Sequence, residues 1–356
     1  MSARVTIETV ARRAMVSRQT VSNVLNAPDL VRLETRDRVR KAIRELGYRT
    51  SLAARQMRTG RSGLVAVRID PVRAGLDEGA VLDRFLHGLT EAAATGGYRL
   101  MLYTAGDDAS EIATFEELLD SYALDGFVLT HTHLGDARTA WLTHRGVRFT
   151  AFGRPWGPAA PHSWVDVDGS AGTAAATTRL ITAGHRRIGY LGPPPSPGVG
   201  DDRRSGWVRA MTGAGLPTRG LVRHADDTVA DAARIVRELG RLRQPPTAYV
   251  CHSDPMALGA LRADPGARVI GFDDTPAAAA VGLTSVRQPM LEVASACIRL
   301  LVRQLDAPQP AAPSRRAPSA GHVSDPTGVP ESPPGSPPPE PEQVLLIPEL
   351  VVRDSG

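Results

Sequence analysis

The sequence predicts two parts of different class: an all-α head at the N-terminus, and an α/β body of two doubly wound lobes on parallel sheets. Three observations predict this. At 356 residues the chain is too long for one ordinary hydrophobic core. Residues 1–48 carry only short helical patterns. Residues 63–305 alternate short apolar runs with helical stretches, the pattern of right-handed βαβ units.

The head reads as a helix-turn-helix at about residues 6–26. Thr6 stands before Ile7, Val10 and Ala11, which share one face, and can cap that helix. A turn at Ala14-Met15-Val16 follows, and Ser17 can cap a second helix from Arg18 to Leu25. Val16, Val21, Val24 and Leu25 supply its core side, while Arg18, Gln19, Thr20, Ser22, Asn23 and Asn26 point outward. A third helix, Thr35 to Leu46, turns Val39, Ile43 and Leu46 inward. The outward set has a chemistry. Arg, Gln and Asn side chains match donor and acceptor patterns on base edges, which assigns base reading to Arg18, Gln19 and Asn23. Hydroxyls, short amides and helix N-termini suit phosphate oxygens, which assigns backbone contacts to Thr6, Ser17, Thr20, Ser22 and Asn26. Charge agrees: fourteen basic and five acidic residues up to Ser62 give the head +9, although the whole chain is only +4. A basic head on a mildly acidic body suits a polyanion.

In the body the expected strands are Leu64–Ile69, Arg99–Tyr103, Gly126–Thr130, Arg148–Phe152, Ser163–Val167, Arg187–Leu191, Ala248–Cys251 and Arg268–Phe272. Helical patterns between them include Asp83–Thr95, Ala171–Ala183, Ser205–Ala214, Thr228–Leu239 and Pro255–Leu261. So many strands fit two adjacent lobes better than one very wide sheet. From 307 to 341 the chain is rich in Pro, Ser, Ala and Gly, too poor in apolar surface to offset chain entropy, and reads as a disordered insertion. Residues 342–353 read as a closing strand.

Several function classes are excluded as expectations. Cys251 and Cys297 are too few for a disulfide framework or zinc site. No apolar run approaches membrane-spanning length and no leader is evident, so a soluble, cytoplasmic protein is expected. No Gly-rich phosphate loop with Lys occurs, Lys41 being the only lysine, and no nucleophile elbow is present. His131-Thr132-His133 lacks a third metal ligand. Asp166 and Asp168, two apart on an expected strand, face one side but receive no acid–base role. Neither a catalytic residue, a metal nor a cofactor is assigned, and no enzyme is expected.

The run Val5-Thr6-Ile7-Glu8-Thr9-Val10-Ala11, then Val16-Ser17-Arg18-Gln19-Thr20-Val21-Ser22-Asn23-Val24-Leu25-Asn26, then Glu45-Leu46-Gly47-Tyr48 and Ala53-Ala54-Arg55-Gln56-Met57-Arg58, resembles the LacI/GalR family of repressors. The likeness continues in Ala183-Gly184-His185-Arg186-Arg187-Ile188-Gly189-Tyr190-Leu191, Ser253-Asp254-Pro255-Met256-Ala257, Val269-Ile270-Gly271-Phe272-Asp273-Asp274 and Leu283-Thr284-Ser285-Val286-Arg287-Gln288-Pro289. The resemblance implies a dimeric transcriptional repressor on a pseudo-palindromic operator, with a hinge helix at 49–62. There Met57 would be a minor-groove wedge, Ala54 a close helix or groove contact and Arg55 a backbone contact. It also implies a periplasmic-binding-protein-like body, with residues 63–165 and 289–306 in one lobe and 166–288 and 342–356 in the other. A small effector, by default a carbohydrate, would lie between them on Arg203, Ser253 and Asp273. A solute-binding module or a sugar-processing enzyme is the alternative. The chain departs from the family's pattern at Met15, usually Gly, at Thr50, usually Pro, at Ser253, commonly Asn, and at Gly153, where some members place an acid. The body also lacks the aromatic expected near Asp226 or Asp227, and 263–267 is shortened.

Overall fold

The computed structural model describes residues 5–48, 60–69, 79–157, 162–307 and 340–356. The expected hinge residues Ala54, Arg55 and Met57, with Thr50, lie outside the described residues, as do 308–339 of the Pro-rich stretch. The chain divides into two compact units, Met1–Ser62 and Gly63–Gly356.

In the first unit, α1 (Ile7–Ala14), α2 (Arg18–Asn26) and α3 (Leu33–Leu46) close around Val10, Ala11, Ala14, Val21, Val24, Val39 and Ala42. Thr6 caps α1 by accepting the Thr9 N–H at 3.3 Å, and Ser17 caps α2 by accepting the Thr20 N–H at 3.0 Å. These bonds satisfy helix-end donors that would otherwise be orphaned. Leu25, expected on the core side, is exposed instead. It lies about 100° round the helix from Val24, off the narrow Val21/Val24 stripe. Met15 ends α1 in the left-handed region, at φ 53°, with its side chain in solvent.

The second unit holds two six-stranded sheets among the described residues. In chain order its elements are β1 (Leu64–Ile69), α4 (Gly79–Thr95), β2 (Arg99–Thr104), α5 (Asp108–Tyr122), β3 (Gly126–Leu129), α6 (Ala137–His144), β4 (Arg148–Phe152) and β5 (Trp164–Val167). There follow α7 (Gly169–Thr182), β6 (Ile188–Gly192), α8 (Val199–Gly213), β7 (Val222–His224), α9 (Val229–Gly240), β8 (Ala248–Cys251), α10 (Asp254–Ala263), β9 (Arg268–Phe272) and α11 (Pro276–Ala280). The unit closes with β10 (Thr284–Arg287), α12 (Met290–Asp306), β11 (Gln343–Leu346) and β12 (Glu349–Val351). The first sheet runs β11-β5-β4-β3-β1-β2 and the second β12-β10-β9-β8-β6-β7. Every pairing is parallel except β10 with β12. The central strands are buried on both faces, as β3 and β8 show throughout, which is why they read as continuous apolar runs.

Two expectations about the body change. Residues 342–353 form two strands broken around Pro348, not one. Gln343–Leu346 pairs with β5 in the first sheet, so the end of the chain does not lie wholly in the second lobe. The expected crossover at 165/166 also moves, because β5 runs to Val167 within the first sheet before α7 packs on the second. The chain thus crosses between lobes at 167–169, 287–290 and 346–349.

The first lobe buries charge as well as apolar surface. Glu111, with no exposure, meets Arg68 at 2.5 Å, Arg138 at 2.8 Å and the Tyr103 hydroxyl at 2.8 Å. Among the described residues no helix is long and apolar enough to cross a membrane. Both cysteines are buried free thiols.

Candidate functional site

Two regions gather the predicted residues. On α2, Arg18 and Gln19 are exposed and Asn23 is half-buried on the same outward side. Gln19 Nε2 donates to Asn23 Oδ1 at 3.0 Å, one helical turn away, so the two amides form a pair. The Ser17 and Thr20 hydroxyls lie 2.9 Å apart. One proton joins them, which leaves one outward O–H for another acceptor. Thr6 and Thr9 share their hydroxyls in the same way at 3.2 Å. Ser22 is half-buried on α2 and Asn26 ends it.

In the body a cavity of about 400 Å³ opens at the carboxyl ends of strands from both sheets, the usual ligand position in open α/β folds. Arg203, Ser253 and Asp273, far apart in sequence, all line it. Arg203 projects from α8, whose close approach to α7 needs Gly206: a Cβ there would stand 2.1 Å from the Ser170 carbonyl oxygen. Its guanidinium stacks on Phe272 at 3.6 Å, donates to the His252 carbonyl at 2.6 Å and lies 3.5 Å from Asp273. The buried Arg203 Nε has no partner among the described residues. Ser253 caps α10 through the Met256 N–H and donates its own proton to Asp227. Asp273 accepts from Gln288 Nε2 at 2.6 Å and sits at φ 107°, beside Asp274 at φ 50°. Two successive side-chain-bearing residues at positive φ are strained, and such strain gathers at ligand sites.

Electrostatics in this wall are set by burial. It pushes the Asp273 carboxyl up to about 7, against the pull of Arg203. Burial also raises Asp227 and Asp202, and it drives His252 well below the usual histidine value, so that imidazole is neutral. The opposite wall sets apolar Val81, Leu82, Phe85 and Phe152 beside Thr130, His131, Thr132 and Asp166. Arg84 of α4 bridges the lobes by donating to the Asp274 carbonyl at 2.8 Å.

Sequence reasoning missed Asp202, Asp227, Gln288 and Trp156, all in the cavity lining. Asp227 had a signal, since the Ser253 position needed a partner. The others come from loops and helix ends without local periodicity. Gly153, where some members of the resembled family place an acid, has φ 118°, and a Cβ there would meet Thr132 Oγ1 at 2.1 Å, so a side chain does not fit this wall. None of the shortened segment 263–267 lines the cavity. Asp168 does not share a strand face with Asp166. It lies beyond the end of β5 and caps α7 through the Ala171 N–H at 2.8 Å, while Asp166 pairs with Arg154 at 2.5 Å. His133 does have carboxylates near it, because Asp108 and Asp136 bring ligand atoms within 4.8 Å of it and of one another. Arg138 lies against both acids, at 3.4 Å and 2.7 Å, and already balances their charge.

Comparison with known proteins agrees with this arrangement. Residues 6–51 match the bacterial regulatory proteins of the lacI family, and residues 177–324 match a periplasmic binding protein-like domain. The HTH-type transcriptional regulator CelR of Thermobifida fusca is 34% identical over 85% of this chain and 92% of its own. The solved structure of a CelR–cellobiose complex is 30% identical, with a TM-score of 0.67 over 99% of this chain and 100% of that one. The lac repressor dimer bound to operator and the anti-inducer ONPF shares the fold at 21% identity, with a TM-score of 0.75 over 99% and 98%. Identity of this extent, across both the helical head and the two-lobed body, makes the chain a member of the LacI family of helix-turn-helix transcriptional regulators.

Proposed function

We propose that this regulator is a cytoplasmic homodimer that represses transcription from a pseudo-palindromic operator and responds to a carbohydrate held in the cleft of its body. The observation that carries the DNA side is the outward face of α2, where Arg18 and the Gln19–Asn23 pair stand together beside a capped helix N-terminus. Arg18, Gln19 and Asn23 read base edges, while Thr6, Ser17, Thr20, Ser22 and Asn26 position the helix on phosphates. Beyond the described residues, Arg55 touches the backbone, and Ala54 and Met57 form the hinge contact and wedge. The guanidinium of Arg203, the Ser253–Asp227 pair and Asp273 suit vicinal hydroxyls, which planar charged groups hold two at a time. CelR, one of the relatives, was solved in complex with cellobiose.

The test is operator selection with Arg18→Ala. Binding should weaken by about 1–3 kcal/mol, and base preference should relax at one position per half-site. Equal weakening on all sequences would make Arg18 a phosphate contact instead.

A further inference from the structure

We propose that the effector is an uncharged saccharide of at least two rings, the second seated in a groove that continues from the cleft past Trp156. This rests on the carbohydrate reading of the cleft. The cleft cavity of about 400 Å³ and an open groove of about 590 Å³ share Trp156 and Asp202 in their walls, so the two spaces adjoin. A single ring would occupy only the cleft.

Three features fit the groove to a sugar. Trp156 is held at φ 55°, a conformation that bulky residues rarely adopt, with the Arg154 guanidinium 4.8 Å from its ring centre. The fold thus spends strain on placing an indole at the junction. Trp164 supplies a second indole to the wall of the groove. The apolar body of an indole suits the C–H face of a sugar ring. Finally, the combined walls carry Asp166, Asp201, Asp202, Asp227 and Asp273 against the guanidiniums of Arg154 and Arg203. Arg154 already donates to Asp166 and the Val167 carbonyl, and Arg203 to the His252 carbonyl beside Asp273. A phosphate or carboxylate on the ligand would meet this acid excess.

Calorimetric titration of the full chain decides the matter. The probes are cellobiose, maltose, trehalose, sucrose, lactose and raffinose, their constituent monosaccharides, and glucose 6-phosphate. At least one of the multi-ring sugars should bind about tenfold or more tightly than any of its constituents, with glucose 6-phosphate no better than glucose. Trp156→Ala should collapse that ratio toward one. Trp156→Phe, which keeps a ring and guards against a merely misfolded variant, should retain most of it. A monosaccharide binding as tightly as the best longer sugar, preference for glucose 6-phosphate, or a ratio unchanged in Trp156→Ala would overturn the two-ring proposal and leave the carbohydrate reading standing. If none of these sugars binds, both fall together.

Discussion

The two walls of the cleft differ in how much charge they expose. The first lobe lines the cavity with apolar Val81, Leu82, Phe85 and Phe152 beside Thr130, His131, Thr132 and an Asp166 already paired with Arg154, and keeps further charge behind them in the Arg68–Glu111–Arg138 network. The Arg138 guanidinium also donates to the His131 carbonyl at 3.1 Å, so the network holds the back of a loop that lines the cavity. The second lobe puts its charges into the wall itself, on Arg203, Asp227 and Asp273, and stores backbone strain beneath them. The difference separates two tasks. A rigid apolar wall supplies contact area with little direction, while a polar wall supplies hydrogen-bond direction and couples binding to protonation.

The largest expected effect attacks the first wall. Arg138→Met leaves Glu111, Asp108 and Asp136 short of a cation, and breaking a buried ion network from one side typically costs about 3–5 kcal/mol. Urea unfolding of the variant measures it. A cost below about 1 kcal/mol would mean that the network is not what stiffens this wall.

A smaller effect belongs to the second wall. Burial holds the Asp273 pKa near 7, above the value of about 4 expected unfolded. The folded state therefore keeps a proton that the unfolded chain releases. The stability this contributes is complete below about pH 4 and is lost as pH rises through about 7. Asp273→Asn should raise the melting temperature at alkaline pH, by at most about 4 kcal/mol in stability, and flatten the acid-to-neutral slope. A variant with the slope of the parent would remove Asp273 from the account.

The smallest effect sharpens the contrast. Burial lowers the His133 pKa, but the Asp108 hydrogen bond and nearby carboxylates outweigh it, for a net rise. Its stabilisation is full below about pH 6.5 and fades as pH climbs through the raised value. His133→Gln should erase a shallow slope at neutral pH that Asp273→Asn leaves in place, as melting curves across that range will show. Loss of the same slope in both variants would join two walls that the geometry keeps apart.

The head was largely legible in the sequence because capping and helical periodicity are local: Thr6, Ser17, Val21 and Val24 stand where one turn of helix dictates. Even Met15, which stands where the resembled family usually has Gly, adopts the left-handed conformation. Met15→Gly should stabilise the head by about 1 kcal/mol in thermal unfolding, a gain that would vanish if the turn relaxed. Most central strands were legible because burial on both faces leaves unbroken apolar runs, whereas central β10 was missed because Thr284 and Ser285 break its run. The edge strand Val222–His224 was missed because it is short and only partly buried, so its sequence carries no such run. Arg203, Ser253 and Asp273 came from family resemblance. Asp227, Trp156 and Gln288 depend on which loops the sheets bring together, and no local period records that.

The placing of β11 has a consequence for how the molecule is made. A ribosome delivers β5 long before Gln343–Leu346, so the growing first sheet carries β5 as a bare edge through the synthesis of β6 to β10 and of residues 308–339. An unpaired parallel edge is a template for stray strands. Nascent chains stalled within the Pro-rich stretch should therefore be the species most prone to stick to one another, and the last strands, once released, act as the seal on a lobe begun near the head.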